Sequence, residues 1–139
     1  INSHGGKKID SIEKGIKKAD FVSIHMPLND KTKNLFNYEL LKKMKINSII
    51  INTARGGIVN EFDLNKALDE NLIFGAGLDV FEKEPPSSNN LLLKNQKVIM
   101  SPHTSALTDE CKIRMAKETV KNIIDFFENK SDNSTIVKL

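Results

Sequence analysis

Short apolar runs alternate along the chain with segments of helical periodicity. The β-branched and aromatic runs predict strands, at 20–25, 47–52, 74–80 and 97–101. The segments around them space apolar residues three and four positions apart, which predicts helices over 9–19, 37–45, 60–71 and 108–129. The run 47–52 does not alternate, which favours a strand buried on both faces. Strands that alternate with helices predict an α/β fold, with a parallel sheet and crossover helices.

Polar residues stand just before three of the helical segments and predict where those helices begin. Asn37, Asn60 and Thr108 are suitable N-caps, because their side chains can accept from free backbone N–H groups. Asp10 or Ser11 can do the same for the first helix.

Composition and charge narrow the class of protein. The 139 residues fit one domain, and the net charge of +3 comes from lysines interleaved with acids, which argues against a nucleic-acid partner. Neither a stretch of membrane-spanning length nor a signal-peptide pattern is evident. Cys111 is a single cysteine without zinc-type spacing around it, so we predict no disulfide and no metal site. A cytoplasmic location is the expectation.

Chemically versatile side chains follow the predicted strands. His25, Arg55 and Asp79 come at or after the ends of the first three, and His103 follows the fourth. The carboxyl ends of parallel strands share one edge of a sheet, where ligands bind. The sequence therefore predicts a site at this edge.

The residue types at this edge suit carbonyl chemistry. The guanidinium of Arg55 can bind a carboxylate through two bonds. His103 paired with Glu84 could protonate a carbonyl oxygen while a nicotinamide cofactor delivers hydride. Each residue also has a structural interpretation: Arg55 and Glu84 as loop charges, Asp79 as a loop cap, and His25 and His103 as structural histidines.

Four segments resemble sequence motifs of the D-isomer-specific 2-hydroxyacid dehydrogenases: ADFVSIHMPL, INTARGGIVNE, GAGLDVFEKEPP and SPHTSALTDE. The resemblance covers about residues 19–129, and the four segments stand in the family's order and spacing. The resemblance implies that Arg55 binds the substrate carboxylate, that Glu84 pairs with the catalytic histidine, and that His103 is the acid/base. It also implies NAD as cofactor, contacted by His25, Pro27, Thr53, Ala54, Arg55, Asp79, His103 and Ser105.

The same resemblance implies a role for the glycines after Arg55. They would let the chain turn away beside the nicotinamide, so that Arg55 points at the substrate. Ser105, where the family usually has Gly or Ala, and Asn60, where it often has Asp, are two small departures.

The front of the chain departs from the family more strongly. It contains no G-x-G-x-x-G fingerprint, so the resemblance implies an incomplete Rossmann-like sheet, without the first βαβ unit and the substrate domain. We interpret residues 1–130 as the C-terminal portion of an NAD-binding domain and 131–139 as a tail. The chain would then be a fragment of a longer enzyme, a homodimer by family habit.

Three functions remain open at this point. The leading hypothesis is an oxidoreductase that transfers hydride between NAD(H) and a small D-2-hydroxyacid or 2-ketoacid. A non-catalytic nucleotide-sensing or partner-binding module of the corepressor kind could keep the same three residues. An inactive truncated remnant is the third hypothesis.

Overall fold

The computed structural model describes residues 5–132, 134 and 136. Contacts divide the chain into two compact units, Ile1–His103 and Thr104–Leu139. Part of the predicted tail lies outside the described residues, and a domain end at residue 130 stays a prediction.

The first unit contains a four-stranded parallel sheet. Its strands lie in the order β1, β2, β3, β4, so each strand pairs with its neighbour in the chain. The strands are β1 (Phe21–Ile24), β2 (Ile49–Asn52), β3 (Gly75–Leu78) and β4 (Val98–Met100). The helices are α1 (Ile12–Ile16), α2 (Tyr38–Leu41) and α3 (Glu61–Asp69), and a 3₁₀ helix (Leu91–Lys94) precedes β4. This topology confirms the predicted α/β class.

One face of the sheet carries the core of this unit. Ile50 of β2 is fully buried, together with Leu41 of α2 and with Leu64 and Leu68 of α3. The strand residues that point the other way, such as Ile49 and Ile51, are only half buried. The predicted burial of β2 on both faces is therefore wrong for this unit, because both crossover helices pack on the same face.

Helix starts follow the predicted caps, whereas helix lengths are shorter than predicted. The side chains of Asn37 and Asn60 accept from the backbone N–H groups of Leu40 and Asp63 at 3.1 and 2.9 Å. Ser11 is at the N-cap of α1, but its side chain makes no capping bond. The segment 9–19 yields a helix of only five residues, in which Gly15 lowers helical propensity.

The second unit contains one long helix, α4 (Asp109–Phe127). Thr108 caps it, because the hydroxyl accepts from the backbone N–H of Cys111 at 3.2 Å. The predicted apolar stripe lies on one side of this helix, at Ile113, Ala116, Val120, Ile123 and Phe127. No helix in the part of the chain that the structure describes is long and apolar enough to cross a membrane.

Candidate functional site

The turn after β2 is closed by one buried side chain. Asn52 is 2% exposed, and its Nδ2 donates to the carbonyl of Arg55 at 2.9 Å. Its Oδ1 accepts from the backbone N–H of Ala54 at 3.1 Å. Asn52 is predicted above only as the end of the strand 47–52, although an asparagine before a turn is itself a signal for such an Asx turn. Asn52 therefore fixes the backbone of the turn that contains Arg55.

The two glycines that follow Arg55 meet different local constraints. A Cβ on Gly56 would lie 1.8 Å from the carbonyl oxygen of Phe81, so this position packs directly against the backbone of the loop after β3. Gly57 has φ +80°, a conformation that glycine adopts readily. The expectation that both glycines turn the chain away beside a nicotinamide stays a prediction. The absent side chain of Gly56 lets two protein loops touch.

The side chain of Arg55 is exposed. Its Nη1 donates to the carbonyl oxygen of Ala54 at 2.6 Å, within its own turn. A guanidinium has five N–H donors, so it retains the capacity to bind a carboxylate.

Asp79 follows β3 and connects three neighbouring strand ends. Its backbone N–H donates to the carbonyl of Asn52 at 3.0 Å, and its own carbonyl accepts from the N–H of His103 at 2.9 Å. The carboxylate is 2% exposed, and its Oδ1 accepts from the hydroxyl of Ser101 at 2.5 Å. Sequence reasoning missed this role of Ser101, although its place two residues before His103 was a usable signal.

Glu84 and His103 form the predicted pair. Nδ1 of His103 lies 2.8 Å from Oε2 of Glu84, and Oε1 of Glu84 accepts from the N–H of Phe81 at 3.0 Å. The bond from the His103 ring, followed by the Phe81 N–H, holds the pKa of Glu84 below its usual value. Because Nδ1 faces the carboxylate, Nε2 is the ring nitrogen left for exchanging a proton with another molecule.

These groups meet in a cleft of about 470 Å³. Its polar lining comes from Asp79, Glu84, Ser101 and His103. The rest is apolar or proline: Phe81, Pro85, Pro86, Leu93, Met100 and Pro102. A mostly apolar cleft with a few convergent polar groups is typical of a small-molecule site. Arg55 is not part of this lining and lies on the neighbouring loop.

The other predicted cofactor residues of the first unit follow β1 and β2 at the same sheet edge. His25 is exposed after β1, with Nε2 2.7 Å from the hydroxyl of Ser23. The carbonyl of Pro27 accepts from the hydroxyl of Thr32 at 2.7 Å, in the same loop. Thr53 and Ala54 belong to the Asx turn described above. Ser105 lies in the second unit, so its predicted contact stays a prediction.

The polar groups at this edge are of a kind that can bind the amide of a nicotinamide. The buried carboxylate of Asp79 can accept from a carboxamide, because a carboxylate offers about four acceptor positions. Within the described residues, there is no group of three or more His, Cys, Asp or Glu side chains that could hold a metal ion.

Comparisons with known proteins agree with the fold and the motifs. Residues 2–105 match the family model described as D-isomer specific 2-hydroxyacid dehydrogenase, NAD binding domain. The chain is 43% identical over 115 residues to a glyoxylate reductase of Korarchaeum cryptofilum, covering 83% of this chain and 35% of that protein. It is 45% identical over 108 residues to a D-3-phosphoglycerate dehydrogenase of Methanocaldococcus jannaschii, covering 78% and 20%.

A solved structure shows the same relationship. The NAD-complexed D-isomer specific 2-hydroxyacid dehydrogenase of Lactobacillus delbrueckii ssp. bulgaricus superposes with a TM-score of 0.82 at 29% identity. This match covers 91% of the present chain and 42% of that one. The chain thus spans well under half the length of these relatives.

Proposed function

We propose that the protein transfers hydride between NAD(H) and a small 2-ketoacid or D-2-hydroxyacid. The premise is its family: this chain belongs to the D-isomer specific 2-hydroxyacid dehydrogenases through their NAD-binding domain. Of the two relatives identified by sequence above, one is named a glyoxylate reductase and the other a D-3-phosphoglycerate dehydrogenase. A further relative, of Escherichia coli, is named a glyoxylate/hydroxypyruvate reductase, so glyoxylate and hydroxypyruvate are the first substrates to test.

The contact between His103 and Glu84 is the observation that carries this proposal. A carboxylate 2.8 Å from Nδ1 orients the ring and leaves Nε2 as the nitrogen that can meet a substrate. In the direction of reduction, Nε2 of His103 gives its proton to the carbonyl oxygen of the substrate. In the direction of oxidation, the neutral ring takes the hydroxyl proton, and Glu84 stabilises the resulting imidazolium.

Arg55 has the role of binding the substrate. Its guanidinium is exposed and permanently charged, and it can hold a carboxylate through two parallel bonds. The Asx turn at Asn52 fixes the backbone below it. The guanidinium would hold the substrate carboxylate and stabilise the negative charge that develops on the carbonyl oxygen.

The cofactor residues of the proposal follow the ends of the strands along the chain. Asp79, buried behind His103, would accept from the carboxamide of the nicotinamide. The other contacts would come from His25, Pro27, Thr53, Ala54, Arg55, His103 and Ser105. When bound, the reduced nicotinamide supplies the hydride that none of these side chains can provide.

The decisive experiment follows NADH absorbance while the protein is mixed with glyoxylate or hydroxypyruvate. Turnover that disappears in His103→Ala supports the oxidoreductase. NADH binding in calorimetry without turnover would instead favour the nucleotide-sensing module. A chain that shows neither binding nor turnover would contradict the proposal in favour of an inactive remnant.

We further infer that the protein assembles as a homodimer, as its family resemblance implies. Light scattering over a range of protein concentrations would show a constant mass of two chains. A monomer at all concentrations would contradict this inference.

A further inference from the structure

The first residue of α3, Glu61, uses both of its carboxylate oxygens on a distant loop. Oε1 accepts from the backbone N–H of Glu82 at 2.6 Å. Oε2 accepts from Nδ2 of Asn90, also at 2.6 Å. The two partners lie 21 and 29 positions further along the chain, so neither bond is local. Each is charge-assisted, which makes it stronger than a bond between neutral groups.

The two partners bracket the segment that carries Glu84. Glu82 precedes Glu84 by two residues, and Asn90 ends the loop. Asn90 is itself fixed, because its Oδ1 accepts from the N–H of Leu92 at the start of the 3₁₀ helix. Most of the segment 82–89 is exposed, so core packing does little to hold it. The bonds to Glu61 therefore anchor an otherwise weakly supported loop at both ends.

The helix that presents Glu61 is well suited as a support. Leu64 and Leu68 of α3 are fully buried, so the helix is fixed in the core. Glu61 lies in its first turn, where the helix dipole favours a negative charge. The side chain of Asn60 caps the same turn. The position of the Glu61 carboxylate is consequently set by the core rather than by the loop that it binds.

We propose that Glu61 is a positioning residue that anchors the loop 82–90 and thereby holds Glu84 against His103. The role of Glu61 rests on the proposed function of that pair. Glu61 itself contacts neither substrate nor cofactor in this proposal. The expected effect of losing Glu61 differs from that of losing a surface bond that only stabilises the fold. Loss of Glu61 changes the acid/base pair while the core remains intact.

The test observes the pair directly and does not depend on activity. The isotope-labelled chain is titrated in NMR, with the side-chain carboxyl carbon of Glu84 and the ring nitrogens of His103 as reporters. The charged or polar groups that act on Glu84 are the His103 ring, the Phe81 N–H and Asp79. In Glu61→Ala we expect the Glu84 titration to move up towards the usual value of a glutamate, with loss of the signature of the His103 bond.

Two further variants sharpen this test. Glu61→Gln keeps one oxygen acceptor for two donors, so we expect a smaller upward shift than in Glu61→Ala. Glu70→Ala is the matched control, because Glu70 follows the same helix and bonds to the hydroxyl of Tyr38 instead of the loop. That variant should leave the titration of Glu84 unchanged.

The outcomes separate this inference from the proposed function. Unchanged Glu84 and His103 signals in both Glu61 variants would overturn it, whether or not the protein turns over glyoxylate. A shifted Glu84 with unchanged core methyl signals, from Ile50 and Leu64, would support it even in an inactive chain. Should Glu61→Ala lose those core signals, Glu61→Gln gives the decision by the same criterion.

Discussion

The two predicted ends of the site differ in how far the chain itself arranges them. At one end, His103 and Glu84 are in contact, and Glu84 is held in addition by the N–H of Phe81. At the other end, the Arg55 side chain is exposed and bonds to the carbonyl of its own neighbour, Ala54. The backbone below Arg55 is fixed by the Asx turn at Asn52, whereas its guanidinium bonds to a carbonyl of its own turn.

This difference follows from the chemistry proposed for each end. A proton donor must have a set orientation before the substrate arrives, and a neighbouring carboxylate provides it. A guanidinium that binds a carboxylate gains its second partner only from the substrate itself. We therefore expect changes at the His103 end to act on the chemical step and changes at the Arg55 end to act on binding.

The largest effect is expected from His103→Ala. Removal of the acid/base group should lower kcat for glyoxylate reduction by about 10²–10⁴-fold, with little change in KM. Steady-state kinetics with NADH measure both constants. His25→Ala provides a comparison, since His25 lies after β1 and bonds to Ser23, and its effect should fall on the KM for NADH. Equal kcat values for His103→Ala and the unaltered protein would remove the proposed mechanism.

A smaller effect, on binding, is expected from Arg55→Ala. The loss of two charge-assisted bonds should raise the KM for glyoxylate and lower kcat/KM by about 10–100-fold. Arg55→Lys keeps the charge without the planar fork, so its kcat/KM should lie between those of Arg55→Ala and the unaltered protein. If Arg55→Ala changed only kcat, the division between a chemical end and a binding end would be incorrect.

Gly56→Ala tests the contact that joins the two ends. Its Cβ would overlap the Phe81 carbonyl, so the loops must separate, and we expect the free energy of unfolding to fall by about 1–3 kcal/mol. Denaturant titration measures this change. Gly15→Ala is the control, because the nearest side-chain atom to its Cβ, on Ile9, is at 3.6 Å and the helix gains propensity. Comparable losses in both variants would show that the contact at Gly56 is not special.

The sequence was sufficient for those parts of the site that depend on strand ends. Alternating strands and helices predicted the parallel sheet, and the parallel sheet brought Asp79 and His103 to one edge. The contact between Glu84 and His103 could be anticipated because carboxylate and imidazole have complementary chemistry. Helix starts were predictable for a similar reason, since Asn37 and Asn60 bond to backbone groups three residues away.

Contacts between loops were not accessible in this way. The partner of Gly56 is the backbone of Phe81, and the partners of Glu61 are more than twenty positions away. A glycine or glutamate in the sequence does not specify which distant backbone it will meet. Helix ends were also misjudged, because tertiary packing rather than periodicity decides where short helices stop.

The smallest predicted effect is on stability and depends on pH. The pKa of Glu84 is lowered in the folded state by the His103 ring and the Phe81 N–H, so its charged form stabilises the fold. This contribution is complete above the usual pKa of a glutamate and is lost as the pH falls through the lowered folded value. The stability of the unaltered protein minus that of Glu84→Gln should therefore shrink on acidification. Because both side chains are more than a third exposed, the change should stay below about 1 kcal/mol.

Denaturant titrations of both proteins over the acidic range provide this difference directly. Arg55→Ala is the matched comparison, because its guanidinium bonds to a carbonyl group, which does not titrate. Its stability difference should therefore be flat where that of Glu84→Gln declines. A difference for Glu84→Gln that stayed constant or grew on acidification would mean that the carboxylate is not held in its charged form by His103. The acid/base end would then be no more preformed than the arginine end.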